Sequence, residues 1–148
     1  MILNGINNQT VEIKITNYQF PNEIADYYDK NWLNIYLKVK SNVGNWQTID
    51  PSLLTREVKE VINWFTMLSK NLVSKEKELN FIEPNLSFEL LENSNNSLKL
   101  FRINFKLESR PKSAKADKKY FVDCLADNRE LKRIADELKT ELEKYPER

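Results

Sequence analysis

The sequence contains no histidine and only one cysteine, Cys124, among its 148 residues. Without histidine, Ser-His-Asp and Cys-His catalytic sites cannot form, and neither can zinc sites with histidine ligands. A single cysteine also excludes a cluster of metal-binding thiolates and an internal disulfide, which favours a reducing compartment. We expect Cys124 to be a buried and inert thiol, because free cysteine is among the residue types most often found in protein interiors.

Glycine is almost as scarce, since Gly5 and Gly44 are the only two. The Gly-rich fingerprint of dinucleotide-binding sites and the phosphate-binding P-loop are therefore both excluded. No apolar run approaches the ~18 residues of a membrane span. The beginning of the chain lacks the basic and apolar regions of a signal peptide. We therefore expect a cytoplasmic protein with no membrane partner.

The charges almost cancel, with 23 Lys and Arg against 22 Asp and Glu. Such a balance provides no overall field that would attract a nucleic acid, so we expect no direct nucleic-acid partner. The basic segment 109–119 has no interleaved aromatic residues and is typical of a solvated loop. An enzyme of this composition would depend on paired carboxylates. The candidates are Asp26, Asp29, Glu89 and Asp123, and nothing in the sequence brings them together.

Two amphipathic patterns predict helices over about 55–72 and 128–145. The first is expected to begin with Thr55 as its N-cap. The second follows Asp127, which has Glu130 three residues later, the spacing of a capping box. Apolar residues recur at helical spacing in both, at Val58, Val61, Ile62, Phe65, Leu68 and Leu72 in the first and at Leu131, Ile134, Ala135, Leu138 and Leu142 in the second.

Alternating apolar and polar residues predict β-strands between and before these helices. Short polar turns at 41–45 and 93–97 predict hairpins and hence antiparallel pairing, and Pro51 is expected to end the strand after the first turn. The fold class is therefore α+β, a single domain over 1–148. We expect an antiparallel, strongly curved sheet of six to eight strands with the two main helices packed on it.

The stretch "YYDKNWLNIYLKV", which begins at Tyr27, combines a polar entry with an unusual strand. One face of the strand is aliphatic, whereas the other begins with Trp32, Asn34 and Tyr36. If the strand pairs with 46–50, Trp46 lies close to these three residues. Two interpretations stay open: a second core beneath a helix, or a partly exposed patch that binds another protein. In the second interpretation the candidate partner-binding residues are Asp29, Trp32, Asn34, Tyr36 and Trp46.

Several segments spread over nearly the whole chain carry a family resemblance. They are "YYDKNWLNI", "NWQTIDPSLLTREV" (45–58), "FIEPNLSFEL" (81–90), "FRINFKLESRP" (101–111) and "LKTELEKYPER" (138–148). With these segments in this order, the chain resembles the WapI-family immunity proteins, small bacterial proteins that neutralise the toxic C-terminal domain of contact-dependent or wall-associated toxins.

The resemblance implies binding without catalysis, and from the residues we expect no metal and no cofactor. The partner it implies is the cognate toxin domain, which for the best-known relative is a tRNA-cleaving nuclease. The near-neutral charge does not provide the strong negative charge that would match a basic nuclease active site, unless acidic residues cluster on one face. A general protein- or peptide-binding module using the aromatic face, and a carboxylate-based hydrolase, are the alternatives.

Overall fold

A computed structural model describes residues 1–22, 26–72, 77–93 and 98–148. The described part of the chain contains eight strands and three α-helices in the order β1 (Ile2–Asn4), β2 (Thr10–Tyr18), α1 (Tyr27–Asn31), β3 (Trp32–Ser41), β4 (Gly44–Leu54), α2 (Thr55–Ser69), β5 (Glu78–Asn80), β6 (Leu86–Asn93), β7 (Lys99–Phe105), β8 (Tyr120–Ala126) and α3 (Asn128–Leu142). The strands form two antiparallel sheets, a first sheet in the order β1-β2-β3-β4 and a second in the order β5-β6-β7-β8. The α+β class is confirmed.

A single antiparallel bridge between Gly5 and Cys124 connects the first sheet to the second at the β1 and β8 edges. The eight strands therefore follow one another along an open arc that begins at β4 and ends at β5. The approach at the bridge is very close, because a Cβ on Gly5 would lie 2.5 Å from Cγ1 of Val122 and 3.2 Å from the carbonyl oxygen of Asp123. Glycine is thus required where the two sheets meet.

The inner faces of both sheets share one hydrophobic core with α2 and α3. Phe65 of α2 lies at its centre and packs edge-on against Phe88 and Phe101, with ring centroids 5.8 and 5.4 Å apart. The apolar stripe predicted for the second main helix is buried along its whole length. Cys124 is buried, as expected, and burial raises the pKa of its thiol to about 12.

Both predicted main helices are present and end three residues earlier than expected, at Ser69 and Leu142. Asp127 caps α3 as predicted, because its carboxylate accepts the backbone N–H of Glu130 at 2.7 Å. The predicted cap of α2 is wrong. Thr55 is the first residue of that helix, and its hydroxyl donates to a backbone carbonyl of α1 at 3.2 Å.

Pro51 does not end its strand, contrary to the prediction. β4 continues to Leu54, with Pro51 paired opposite Asn34 and the next pair formed by Leu33 and Leu53. This register shift leaves one extra residue in β4, which is an edge strand of the first sheet. Proline is tolerated at bulges and on edge strands because the ladder does not need its missing N–H there.

The two predicted hairpins are described to different extents. The first is formed by β3 and β4, which pair as far as Ser41 and Gly44. For the second, β6 and β7 pair in antiparallel fashion as expected, but residues 94–97 of the predicted turn lie outside the described residues.

Candidate functional site

The face of the first sheet that points away from the core is the candidate interface, and we call it the outer face. Strand alternation places Leu33, Ile35, Leu37 and Val39 in the core, so the residues between them point outwards. The outer face includes Glu12 and Lys14 from β2, Asn34, Tyr36, Lys38 and Lys40 from β3, and Gln47, Ile49 and Pro51 from β4, with Thr10 and Asn45 in the row of Lys40.

Tyr36 and Ile49 form the apolar centre of the outer face. They lie opposite each other across β3 and β4, and Lys14 lies on the other side of Tyr36. Ile49 is 63% exposed, more than any other large hydrophobic residue in the described part of the chain, whereas Tyr36 is half-buried. An exposed aliphatic residue beside a tyrosine, ringed by polar groups, has the composition of a protein-binding hot spot.

Neighbouring side chains hold Tyr36 in place. Its hydroxyl donates to Oε1 of Gln47 at 3.3 Å, and Nζ of Lys14 lies 5.9 Å from the centroid of its ring. Lys14 is itself ion-paired with Glu12 at 2.5 Å. A side chain that is already ordered loses little conformational freedom when a partner binds, so this arrangement favours recognition by Tyr36.

Trp46 is not part of the outer face, although the sequence placed it near Tyr36. It lies opposite the buried Val39 and therefore points to the inner side of the sheet. Its indole N–H donates to the carbonyl of Ser109 at 2.9 Å, and its ring packs edge-on against Phe105 and Tyr120 at 5.5 and 6.2 Å between centroids. Trp46 thus connects the edge strand β4 to the second sheet.

The other predicted partner-binding residues lie at one end of the first sheet. Asp29 belongs to the short helix α1, and Trp32 is the half-buried first residue of β3, opposite Leu54. The side-chain amide of Asn34 donates to Oδ1 of Asn17 at 3.1 Å, so part of its hydrogen-bonding capacity is used within the sheet. Of the five predicted residues, Asn34 and Tyr36 lie on the outer face, and Trp32 follows the same alternation at the end of that face, whereas Asp29 and Trp46 lie elsewhere.

Ile49 lies at the centre of the outer face but is not among the residues predicted from the sequence. A usable signal was present, because the tight turn after Ser41 sets the register that places Ile49 opposite Tyr36.

The candidate carboxylates for a hydrolase fall into two separate groups, one around Arg102 and one at α1. Asp123 forms a two-bond ion pair with Arg102, with N–O distances of 2.7 and 2.9 Å. Glu89 lies on the other side of Arg102 in the second sheet, whereas Asp26 and Asp29 lie at α1. Among the residues that the structure describes, no group of three or more Asp, Glu or Cys side chains is arranged to hold a metal ion.

The segment after α3 binds the region around α1. The guanidinium of Arg148 donates to the carbonyls of Phe20, Pro21 and Lys30 and lies over the ring of Tyr18, 3.7 Å from its centroid. The buried side chain of Asn31 completes the contact, since its amide pairs with both the N–H and the C=O of Arg148 at 2.9 and 3.0 Å.

Replacing Arg148 by alanine is expected to lower the free energy of unfolding by about 1–3 kcal/mol, because several charge-assisted hydrogen bonds to carbonyls are lost at once. Urea denaturation followed by tryptophan fluorescence measures the change. Arg129→Ala is the matched control, since that side chain is 93% exposed and should give a change within about 0.5 kcal/mol. Equal effects of the two substitutions would contradict a structural role for Arg148.

The comparison with known families gives a clear result. The protein-family model described as the immunity protein WapI-like family matches residues 1–146. This chain belongs to the WapI-like immunity protein family. The match includes both sheets and every described helix, and it confirms the resemblance found in the sequence segments.

No curated protein and no solved structure matches the chain. Within the described ranges, no helix combines the length and the apolar character needed to cross a membrane. The family membership is therefore the finding on which a functional proposal can be based.

Proposed function

We propose that this protein is an immunity protein that binds its cognate toxin domain in the cytoplasm and neutralises it by occupation, without catalysing a reaction. Membership of the WapI-like immunity family carries the proposal. The position of Arg102 between Asp123 and Glu89, and the separate location of Asp26 and Asp29 at α1, agree with a non-catalytic role.

The outer face of the first sheet is the proposed toxin-binding surface. Its apolar centre, Tyr36 and Ile49, is surrounded by amides and charged side chains, which is the usual anatomy of a specific protein interface. The helices α2 and α3 bury their apolar stripes in the core on the opposite side, so they do not compete for this face.

Co-expression with the toxin domain encoded next to this gene tests the proposal. We expect the wild-type protein to protect the cells and to copurify with the toxin domain. If it neither protects nor binds, the proposed function is wrong.

The double substitution Tyr36→Ala and Ile49→Ala is expected to weaken toxin binding by about thirtyfold or more, the loss typical of hot-spot residues. Isothermal titration calorimetry with the purified toxin domain measures the affinity. The control is Ile82→Ala, because Ile82 is a similarly exposed isoleucine, 51% accessible, in the segment between β5 and β6. Unchanged affinity of the double variant would exclude the outer face while leaving the immunity function open.

A further inference from the structure

Although the net charge of the chain is close to zero, positive and negative side chains lie on different surfaces of the folded protein. Three lysines lie on the outer face, Lys14 on β2 and Lys38 and Lys40 on β3. In these strands and β4, all of which the structure describes in full, the single acidic residue on that face is Glu12. The outer face therefore carries an excess of positive charge around its apolar centre.

Glu12 balances only one of these three lysines. It is ion-paired with Lys14 and lies opposite Lys38 in the register, and a hydrogen bond from Lys14 together with both positive charges holds its pKa below the usual range. Lys40 lies between Thr10 and Asn45, so its own row across the sheet contains no carboxylate. Lys38 and Lys40 are both exposed, which leaves their ammonium groups accessible to a partner.

Three acidic residues, Asp50, Glu83 and Glu108, lie on or near the inner side of the edge strand β4, and we call this region the acidic edge. Asp50 lies opposite the buried Ile35 there. Glu83 lies two residues before Asn85, whose amide contacts Asp50, and Glu108 directly precedes Ser109, whose carbonyl accepts a hydrogen bond from Trp46 of the same strand. Burial raises the pKa of Asp50, and the charges of Glu108 and Glu83 raise it further. Asp50 accepts a hydrogen bond from the amide of Asn85 at 2.8 Å, so it is partly used in joining β4 to the second sheet. The acidic edge and the basic outer face are thus different surfaces.

We infer that the outer face binds an acidic protein surface, an Asp- and Glu-rich epitope of the toxin domain. The inference rests on the proposed function, because it concerns the partner of that same face. Opposite potentials steer two proteins together and like charges oppose docking, so a surface centred on Tyr36 and flanked by three lysines selects a negatively charged partner.

A basic outer face also restricts how the protein can inhibit a toxin. A cleft that binds a nucleic acid or another polyphosphate is positively charged. Such a cleft would be repelled by the outer face. If the toxin is a nuclease, its contact with Lys38 and Lys40 therefore lies outside the phosphate-binding cleft, and inhibition follows from steric occlusion or distortion of the toxin by binding beside that cleft.

Charge reversal on two surfaces tests the inference. The double variant Lys38→Glu and Lys40→Glu is expected to bind the toxin domain about tenfold or more weakly, mainly through slower association, because it removes the attraction and adds repulsion. The neutral variant Lys38→Gln and Lys40→Gln should fall between it and the wild type. The matched control is Glu83→Lys with Glu108→Lys, which should stay within about twofold of the wild type because the acidic edge is not in the interface.

Surface plasmon resonance at ~50 and ~200 mM salt measures association and dissociation rates. Wild-type association should slow at the higher salt, and the Glu variant should lose or invert that dependence. If instead the Lys38 and Lys40 variants bind as tightly as the wild type and the acidic-edge variant loses binding, the partner surface is basic and the inference is wrong. Circular dichroism verifies that each variant is folded, which the exposure of the substituted side chains leads us to expect.

The outcomes separate this inference from the proposed function. No binding by the wild-type protein would end the proposed function itself. If the Tyr36 and Ile49 variant loses binding while the lysine variants bind normally, the outer face is the binding surface. The inference that its partner is acidic would then be wrong. A labelled single-stranded RNA oligonucleotide serves as a further probe: lysine-dependent binding of RNA as tight as that of the toxin would show a nucleic-acid surface and overturn the inference.

Discussion

Replacing Phe65 by alanine is expected to destabilise the fold by about 3–5 kcal/mol, the largest effect of any substitution considered. Phe65 is completely buried and makes edge-on contacts with Trp64, Phe88 and Phe101, at centroid distances between 5.0 and 5.8 Å. The cavity left by its ring would be lined by rigid aromatic side chains that cannot all move inwards. Urea denaturation measured by tryptophan fluorescence gives the change in unfolding free energy.

The loss of stability reflects the contacts that Phe65 makes between α2 and the second sheet. The residue belongs to α2, and its partners Phe88 and Phe101 belong to β6 and β7, so the cluster anchors the helix to the second sheet. Phe20→Ala is the control, because Phe20 is 42% exposed and its truncation should change stability by no more than about 0.5 kcal/mol. A loss below about 1 kcal/mol for Phe65→Ala would contradict the central position assigned to it.

Replacing Gly5 by alanine is expected to cost about 1–3 kcal/mol, the penalty for forcing an extra methyl group into a packed site. The added Cβ would lie 2.5 Å from Cγ1 of Val122, which is fully buried, and 3.2 Å from the carbonyl oxygen of Asp123. Neither atom is the far end of a flexible side chain. The backbone of β1 must therefore move away from β8 at the bridge to Cys124.

Two measurements test this steric explanation. The double variant Gly5→Ala with Val122→Ala should lose less stability than the sum of the single variants, because the second substitution removes the clashing Cγ1. The thiol of Cys124, buried in the wild type, should react faster with a thiol reagent in Gly5→Ala. Additive energies and an unchanged reaction rate would show that the close approach of Gly5 does not connect the two sheets.

The sequence by itself determined most of the local structure. The helical spacing that ends at Leu142 predicted the buried stripe of α3, and Asp127 was correctly identified as its cap. The alternation from Leu33 to Val39 predicted which face of β3 lies in the core. These features follow from periodicities of 3.6 and 2 residues and from the hydrogen-bonding needs of a helix end, which are all properties of neighbouring residues.

Other local expectations failed where distant parts of the chain decide the outcome. Pro51 continues its strand because β4 is an edge strand with a bulge at that point, and its edge position depends on the order of all four strands of the first sheet. Trp46 points to the core side because its register opposite Val39 brings it against Phe105 and Tyr120 of the second sheet. Propensities of single residues contain no information about these contacts.

The family resemblance was also available from the sequence, because its segments are distributed over the whole chain. The sequence predicted only part of the candidate binding surface. Asn34 and Tyr36 could be assigned to one face of β3 by alternation, but the exposed position of Ile49 and the grouping of Lys14, Lys38 and Lys40 depend on how three strands are aligned. Composition gave a net charge of +1 and could not reveal a basic face and an acidic edge, since charge separation arises only when the chain folds.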